Sequence, residues 1–116
     1  MKVLFHVDDP ARWPLALTNA QNLRDYCESR GEPGVIELVA NGPAVQTLTR
    51  EGAGSAGLDA RMEALAAGGA VFAACRNAMR GLGIAPEALC AFVTPVPAGV
   101  AELAERQADG YAYIKP

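Results

Sequence analysis

Residues 2–40 decide the fold, and their sequence is KVLFHVDDPARWPLALTNAQNLRDYCESRGEPGVIELVA. The opening segment, Lys2–Val7, is rich in β-forming side chains and stops at an Asp-Asp-Pro turn, which indicates a buried strand. Gly34–Ala40 is a second apolar run, closed by Asn-Gly-Pro. Between them, apolar residues recur at the spacing of one helix face, at Trp13, Ala16, Leu17, Ala20, Leu23 and Cys27. The stretch therefore predicts a strand–helix–strand unit.

The middle of the chain is rich in alanine and glycine. Its sequence predicts two short helices, at residues 44–50 and 58–67. The segment 52–57 (GAGSAG), which lies between them, contains three glycines and predicts a mobile hinge. We therefore expect two helices in this region that are joined flexibly.

The remainder of the chain continues the alternation of strands and helices. Apolar runs predict three more strands, at 70–74, 90–96 and 111–115. Helices are expected after the first two of these strands, at 75–83 and 97–108. All five strands are apolar throughout rather than alternating, which indicates a parallel sheet covered on both faces. We predict one α/β domain over residues 1–116, a three-layer α/β/α sandwich with a five-stranded, mainly parallel sheet.

Composition excludes several classes of protein. The net charge is −3, from 10 basic and 13 acidic residues, which argues against nucleic acid or a membrane surface as a partner. The longest uncharged stretch, 88–101, contains two prolines and is too short for a membrane span, and no signal-peptide core is visible. The sequence therefore predicts a cytoplasmic protein, in which Cys27, Cys75 and Cys90 are free thiols. A single histidine leaves too few ligands for a Cys/His zinc site, so no metal is expected.

Polar and reactive side chains follow the predicted strands at one edge of the sheet. Ligands of open parallel sheets bind at the carboxyl ends of the strands. The residues at those ends are His6 with Asp8 and Asp9, Asn41 with Gly42, Cys75 with Arg76 and Asn77, and residues 94–99. No phosphate-binding motif of the P-loop or dinucleotide type is present, so we predict no cofactor. Cys75 is the main nucleophile of this edge.

Cys75 is placed where a strand gives way to a helix. Unpaired backbone N–H groups and the helix dipole at such a junction favour a thiolate, the nucleophilic form, and Arg76 adds positive charge nearby. We therefore expect the thiol to open onto solvent and to be partly ionised. The alternative is a packed core cysteine, because free cysteine is among the most buried residue types. Cys27 and Cys90, in apolar segments, are expected to be structural.

The other candidates each have a structural alternative. His6 lies within or at the end of a strand, where a hydrogen-bonded structural role is the simpler expectation. Asp8 and Asp9 are expected to cap the turn or the first helix. Asn41 belongs to a turn, and its functional interpretation is that its amide contacts whatever Cys75 holds.

Three segments together resemble one family, the DsrE/DsrF-like proteins. They are LVANGPAV at 38–45, VFAACRNAM at 71–79 and PAGVAELAERQADGYAYIKP at 97–116. The sequence is most similar to the small stand-alone, YchN-type branch. The resemblance implies a flavodoxin-like sheet and assembly as homotrimers or hexamers. It also implies a sulfur relay in which one cysteine carries a persulfide, and Cys75 lines up with that cysteine.

Three hypotheses remain open at this stage. The first is a sulfur carrier, or sulfurtransferase-like protein, in which a Cys75 persulfide is stabilised by helix-terminal N–H groups with Asn77, Asn41 and His6. It implies sulfur donor and acceptor proteins as partners. The second is a non-catalytic module that binds a small ligand or a protein in the same strand-end cleft. The third is a purely structural oligomer.

Overall fold

A computed structural model describes residues 1–116 and shows five strands alternating with helices. The strands are β1 (Lys2–Val7), β2 (Val35–Ala40), β3 (Val71–Cys75), β4 (Val93–Val96) and β5 (Ala112–Ile114). The α-helices are α1 (Trp13–Ser29), α2 (Arg50–Ala56), α3 (Asp59–Ala67), α4 (Arg76–Leu82) and α5 (Gly99–Ala108). Short 3-10 helices cover Pro10–Arg12, Gly42–Leu48 and Pro86–Ala88. None of the helices has both the length and the apolar character needed to cross a membrane.

All five strands are parallel, in the order β4-β3-β2-β1-β5. From β1 to β4 the chain steps across the sheet in one direction, and from β4 it returns to the far side of β1. Right-handed crossovers in one direction place their helices on one face, and a crossover in the reverse direction uses the other face. The connection through α5 therefore covers the second face. This confirms the predicted three-layer, flavodoxin-like α/β/α sandwich.

Two groups of buried side chains mark the two faces of the sheet. On the first face, Val3, Phe5 and Val7 of β1 pack with the helices that follow β1, β2 and β3. Trp13 is fully buried there, and its indole Nε1 donates a 2.9 Å hydrogen bond to the carbonyl oxygen of Ala44. On the second face, α5 places Leu103 against a smaller group, Leu4, Val39 and Ala73. The second face is thus covered by one helix only.

The glycine-rich segment 52–57 is helical, so the predicted hinge is wrong. The predicted helix at 44–50 is instead a 3-10 helix that ends at Leu48, and α2 begins at Arg50. Thr49 caps α2, since its Oγ1 accepts a 2.9 Å hydrogen bond from the Gly52 N–H. A Cβ at Gly52 would lie 2.0 Å from the carbonyl oxygen of Gln46, so glycine is required there by close backbone approach. Gly57 has a different role: it ends α2 in the left-handed conformation, at φ 69°.

The last two strands are shorter than the sequence predicts. β4 begins at Val93, because the Cys90 N–H turns away to the carbonyl oxygen of Leu48, 2.9 Å distant. β5 was expected to be buried, but all three of its residues are exposed. β5 lies at the edge of the sheet and pairs only with β1. This pairing satisfies the backbone groups on its inner side, so the strand does not need to be covered by helices.

One carboxylate is buried within the sheet. Glu37 of β2 is 7% exposed, and its Oε2 has no hydrogen-bond partner. Burial, and to a smaller extent the negative charge of Glu102 on α5, raise the pKa of Glu37 to about 7, while Arg106 opposes the shift. The group therefore keeps its proton in the folded protein at pH values where the unfolded chain has lost it.

The raised pKa of Glu37 predicts a pH-dependent stability. Since the folded state holds this proton more tightly, the free energy of unfolding falls as pH rises from the ordinary glutamate pKa towards pH 7. Glu37→Gln removes this ionisable group. The free energy of unfolding of the variant, relative to that of wild type, should therefore be about 2–3 kcal/mol greater at pH 8 than at pH 5. Urea unfolding of wild type and variant at both pH values measures this difference.

Glu105→Gln on the exposed side of α5 is the matched control. It removes the same kind of ionisable group from an exposed position instead of a buried one. Its effect on the free energy of unfolding should therefore be the same at pH 5 and pH 8. An equal response of the two variants to pH would contradict the assignment to Glu37.

Candidate functional site at the carboxyl ends of the strands

The carboxyl edge of the sheet contains one point where the connections diverge to opposite faces. The chain leaves β3 into α4 on the first face, and it leaves the neighbouring strand β4 into α5 on the second. Open α/β sheets bind their ligands in the crevice created by such a switch. Cys75 is the last residue of β3 and lies in register with Val96 of β4. The sheet therefore presents Cys75 at its switch point.

The thiol of Cys75 is covered by the start of α5. A Cβ added to Gly99 would lie 3.2 Å from the Cys75 Cβ and 3.6 Å from its Sγ. Cys75 is only 6% exposed, and it is the N-cap of α4, yet its side chain accepts no hydrogen bond from that helix. The expectation of a solvent-open thiol beside the N–H groups of α4 is thus wrong, because the side chain packs against α5 instead.

Asn41 approaches Cys75 from the other side. It follows β2, the neighbour of β3, and its Cβ lies 3.1 Å from the same point above Gly99. The point where a Cβ of residue 99 in α5 would lie is therefore within contact distance of both Asn41 and Cys75. Glycine at position 99 is what permits these three elements to close on one another. No side chain caps the first turn of α5, so its leading N–H groups have no side-chain acceptor.

His6 connects Asn41 to the outer strand. Its Nε2 lies 3.0 Å from the Oδ1 of Asn41, and its Nδ1 lies 2.6 Å from the hydroxyl of Tyr113. The register pairs Leu4 with Tyr113, which puts His6 and Tyr113 on the same face of the sheet. Four strand ends thus contribute a continuous row of side chains: Tyr113, His6, Asn41 and Cys75. We call these four residues the strand-end row.

Tyr113 was absent from the sequence-based candidates. Residues 111–115 were identified as a strand, but nothing local to them shows that this strand pairs with β1. The contact joins positions that are 107 residues apart. The one available signal was the tyrosine itself, because a tyrosine hydroxyl that is partly buried needs a hydrogen-bond partner.

Two predicted site residues do not join the strand-end row. Asn77 and Arg76 are exposed on α4, and the Oδ1 of Asn77 accepts a hydrogen bond from Arg80. Neither side chain has a hydrogen bond or ion pair with Cys75, His6 or Asn41. Arg76 and Arg80 also lack an acidic partner, so α4 carries two uncompensated positive charges beside the site.

The acidic pair after β1 has a structural role. Asp9 caps the 3-10 helix through a 2.9 Å hydrogen bond from the Ala11 N–H to its Oδ1, as expected for a turn aspartate. Lys115 donates a 2.9 Å hydrogen bond to the Oδ1 of Asp8. This hydrogen bond with Lys115 holds the pKa of Asp8 below its ordinary value. The ion pair is exposed and joins the ends of β1 and β5.

The other two thiols are buried away from the strand-end row. Cys27 lies on the inner side of α1, where its sulfur would be 3.2 Å from a Cβ at Gly34. Cys90 lies in the loop before β4, and burial raises the pKa of its thiol. All three cysteines are free thiols. Both positions suit packing better than chemistry.

An open groove lies elsewhere, between α2 and the loop after α4. Its volume is about 720 Å³, and its lining includes no residue of the strand-end row. Its arginine, Arg50, is already occupied, since the guanidinium donates hydrogen bonds to the carbonyl oxygens of Glu87 and Leu89. No group of three or more His, Cys, Asp or Glu side chains is arranged to hold a metal ion.

Fold and site together define a class, the flavodoxin-like α/β/α proteins with a cysteine at the switch point of a parallel sheet. Within that class, the chain belongs to the DsrE/DsrF-like family, whose model matches residues 1–116. This confirms the predicted family. A solved structure is similar over nearly the whole length: protein of unknown function MTH1491 from Methanobacterium thermoautotrophicum. It has 33% sequence identity and a TM-score of 0.86, over 99% of this chain and 98% of that one. No curated protein matches the chain.

The tight approach at Gly99 gives a test of the site geometry. Gly99→Ala places a methyl group against the Cβ atoms of Asn41 and Cys75, which should destabilise the fold by about 1–2 kcal/mol. The same methyl covers the sulfur, so alkylation of native Cys75 by iodoacetamide should slow. Urea unfolding measures the first effect, and mass spectrometry of tryptic peptides measures the second.

Gly81→Ala in α4 is the control, because an added Cβ there meets nothing within 4 Å. It should leave stability unchanged or raise it by up to about 1 kcal/mol, as alanine favours helix more than glycine does. A Gly99→Ala variant that matched this control in stability and in labelling rate would contradict the close packing described.

Proposed function

We propose that this protein carries sulfane sulfur as a persulfide on Cys75. The observation that supports the proposal is the placement of one free cysteine at the switch point of the sheet, beside an asparagine amide and the start of α5. Membership of the DsrE/DsrF-like family agrees with a sulfur relay. Sulfur acceptance at such a position needs no cofactor and no metal.

The reaction has two displacement steps. The Cys75 thiolate, after losing its proton to solvent, attacks the terminal sulfur of a donor persulfide R–S–SH. The donor S–S bond breaks, R–S⁻ leaves, and Cys75–S–SH forms. An acceptor thiolate then attacks the terminal sulfur, which gives the acceptor persulfide and returns Cys75–S⁻. One sulfur atom moves in each step, and no external oxidant or reductant is consumed.

The site offers stabilisation for the negative charge that these steps create. Asn41 and the first residue of α5 pack against Cys75, and hydrogen-bond donors at a helix start favour an anion. Arg76 and Arg80 of α4 form no ion pair, and their positive charge favours anionic donors over neutral ones. Asn77 acts through its hydrogen bond to Arg80 rather than on the sulfur itself.

Sulfur loading provides the test of this proposal. The reduced protein is incubated with a polysulfide donor and its intact mass is measured. Wild type should gain the mass of one sulfur atom, while Cys75→Ser should not. Because trypsin separates the three cysteines into peptides 25–30, 62–76 and 81–106, the modified residue can be located directly.

Cys27→Ser and Cys90→Ser are the matched controls, since each removes a buried thiol outside the strand-end row. Both should load as wild type does, provided that circular dichroism shows an intact fold. A wild-type protein that takes up no sulfur, or an adduct that survives in Cys75→Ser, would rule out Cys75 as the carrier.

The burial of Cys75 favours a second candidate, a binding module without turnover. In that case the thiol is a packed side chain, and the native protein should alkylate Cys75 far more slowly than the same protein in urea. A native rate equal to or above the unfolded rate excludes this candidate. Slow labelling together with absent sulfur loading would support it over the carrier.

We further propose self-assembly as a homotrimer or hexamer in the cytoplasm, with sulfur donor and acceptor proteins as transient partners. The exposed apolar side chains on the face that α5 alone covers support an assembly surface. They include Val35 and Val71 at the starts of β2 and β3, and Val100 on α5. Burying such side chains against a second copy removes apolar area from water, which favours association.

A further inference from the structure

We propose that Tyr113 is a positioning residue that acts on Cys75 through His6 and Asn41. The assignment deepens the proposed sulfur relay and rests on it for its functional meaning. Its physical basis is the strand-end row, in which Tyr113 is hydrogen-bonded to His6 and His6 to Asn41, while Asn41 lies beside Cys75.

The hydrogen-bond partners determine which nitrogen of His6 carries the proton. The Oδ1 of Asn41 can only accept, so the neutral ring must donate from Nε2, 3.0 Å away. Nδ1 is then a bare acceptor, and the hydroxyl of Tyr113, 2.6 Å away, donates to it. Tyr113 thereby holds both the tautomer and the orientation of the ring.

The fixed ring in turn orients the Asn41 amide. With Oδ1 engaged by His6, the Nδ2 hydrogens of Asn41 are left as the donors available to a neighbour. Cys75 is the adjacent side chain, because the Cβ atoms of Asn41 and Cys75 lie 3.1 and 3.2 Å from the same point above Gly99. An amide donor already held beside a sulfur anion can stabilise it with little reorganisation. Loss of the Tyr113 hydroxyl should therefore reach the sulfur, although the hydroxyl does not touch it.

The single histidine makes the first part of this inference directly measurable. Long-range ¹H–¹⁵N correlation spectra report only His6, on the alkaline plateau of a pH titration. Wild type should show a protonated Nε2 and an unprotonated Nδ1. In Tyr113→Phe the Nδ1 resonance should shift as the nitrogen loses its donor, and exchange of the Nε2 proton with water should quicken. Tyr26→Phe, an exposed tyrosine on α1, should leave both signals unchanged.

The second part is measured at Cys75 by its rate of alkylation in the native protein. Asn41→Ala should slow the reaction, and Tyr113→Phe should slow it by about two- to five-fold, the change expected for weakening one hydrogen bond. Because Tyr113 acts through Asn41, the double variant should react no more slowly than Asn41→Ala alone. Tyr26→Phe should react as wild type does.

Each result decides one element of the inference. A protonated Nδ1 in wild type, or a Tyr113→Phe spectrum identical to wild type, overturns the hydrogen-bond assignment. A changed spectrum with an unchanged Cys75 rate, or additive effects in the double variant, overturns the action through Asn41. Failure of wild type to load sulfur overturns the proposed function alone, since neither the spectrum nor the alkylation rate depends on a sulfur donor.

Discussion

The reversal of the chain after β4 is the constraint on which the rest of the structure depends. Three connections run across the sheet in one direction and put their helices on one face, so the other face would be open to water. The return through α5 covers Leu4, Val39 and Ala73 on that face and delivers β5 to the outer side of β1. The same reversal separates the loops after β3 and β4. Core closure and the site therefore have one topological cause.

The site that results is compact, and Cys75 is buried in it. A sulfur anion in such surroundings is unfavourable unless donors meet it, and the polar groups nearest to the sulfur belong to Asn41 and the start of α5. Glycine at position 99 lets these groups come within contact distance of Cys75. The arginines of α4, which have no acidic partner, remain exposed outside the site. The strand-end row and this pair of charges are thus separate features of the same edge.

Much of the architecture follows from local sequence patterns. The apolar runs of β1, β2 and β3 and the helical spacing of α1 have no equally good alternative, because each is long and strongly periodic. Local pattern failed at residues 52–57, where glycines were interpreted as a hinge. The reason for Gly52 is a contact with the Gln46 backbone, and such a contact is visible only once both segments are folded.

The same division holds for the site. Strand ends could be predicted to converge, which brought His6, Asn41 and Cys75 together as candidates. The order of the strands could not, so the pairing of Tyr113 with His6 was invisible, as was the direction of the Cys75 side chain. Asn77 was associated with Cys75 because it is close in sequence, but on an exposed helix it pairs with Arg80. The family resemblance implied a role for Cys75, but it did not indicate which side chains surround that residue.

The position of β5 has a consequence for how the protein is made. Its two contacts with the end of β1, from Tyr113 to His6 and from Lys115 to Asp8, each span 107 residues. During translation the ribosome must therefore release almost the whole domain before either contact can form. Until then, β1 has one unpaired edge in the nascent chain, and His6 lacks its hydrogen bond to Tyr113. Cys75 is likewise synthesised before α5, so its thiol has no cover from that helix until residues 99–108 have emerged.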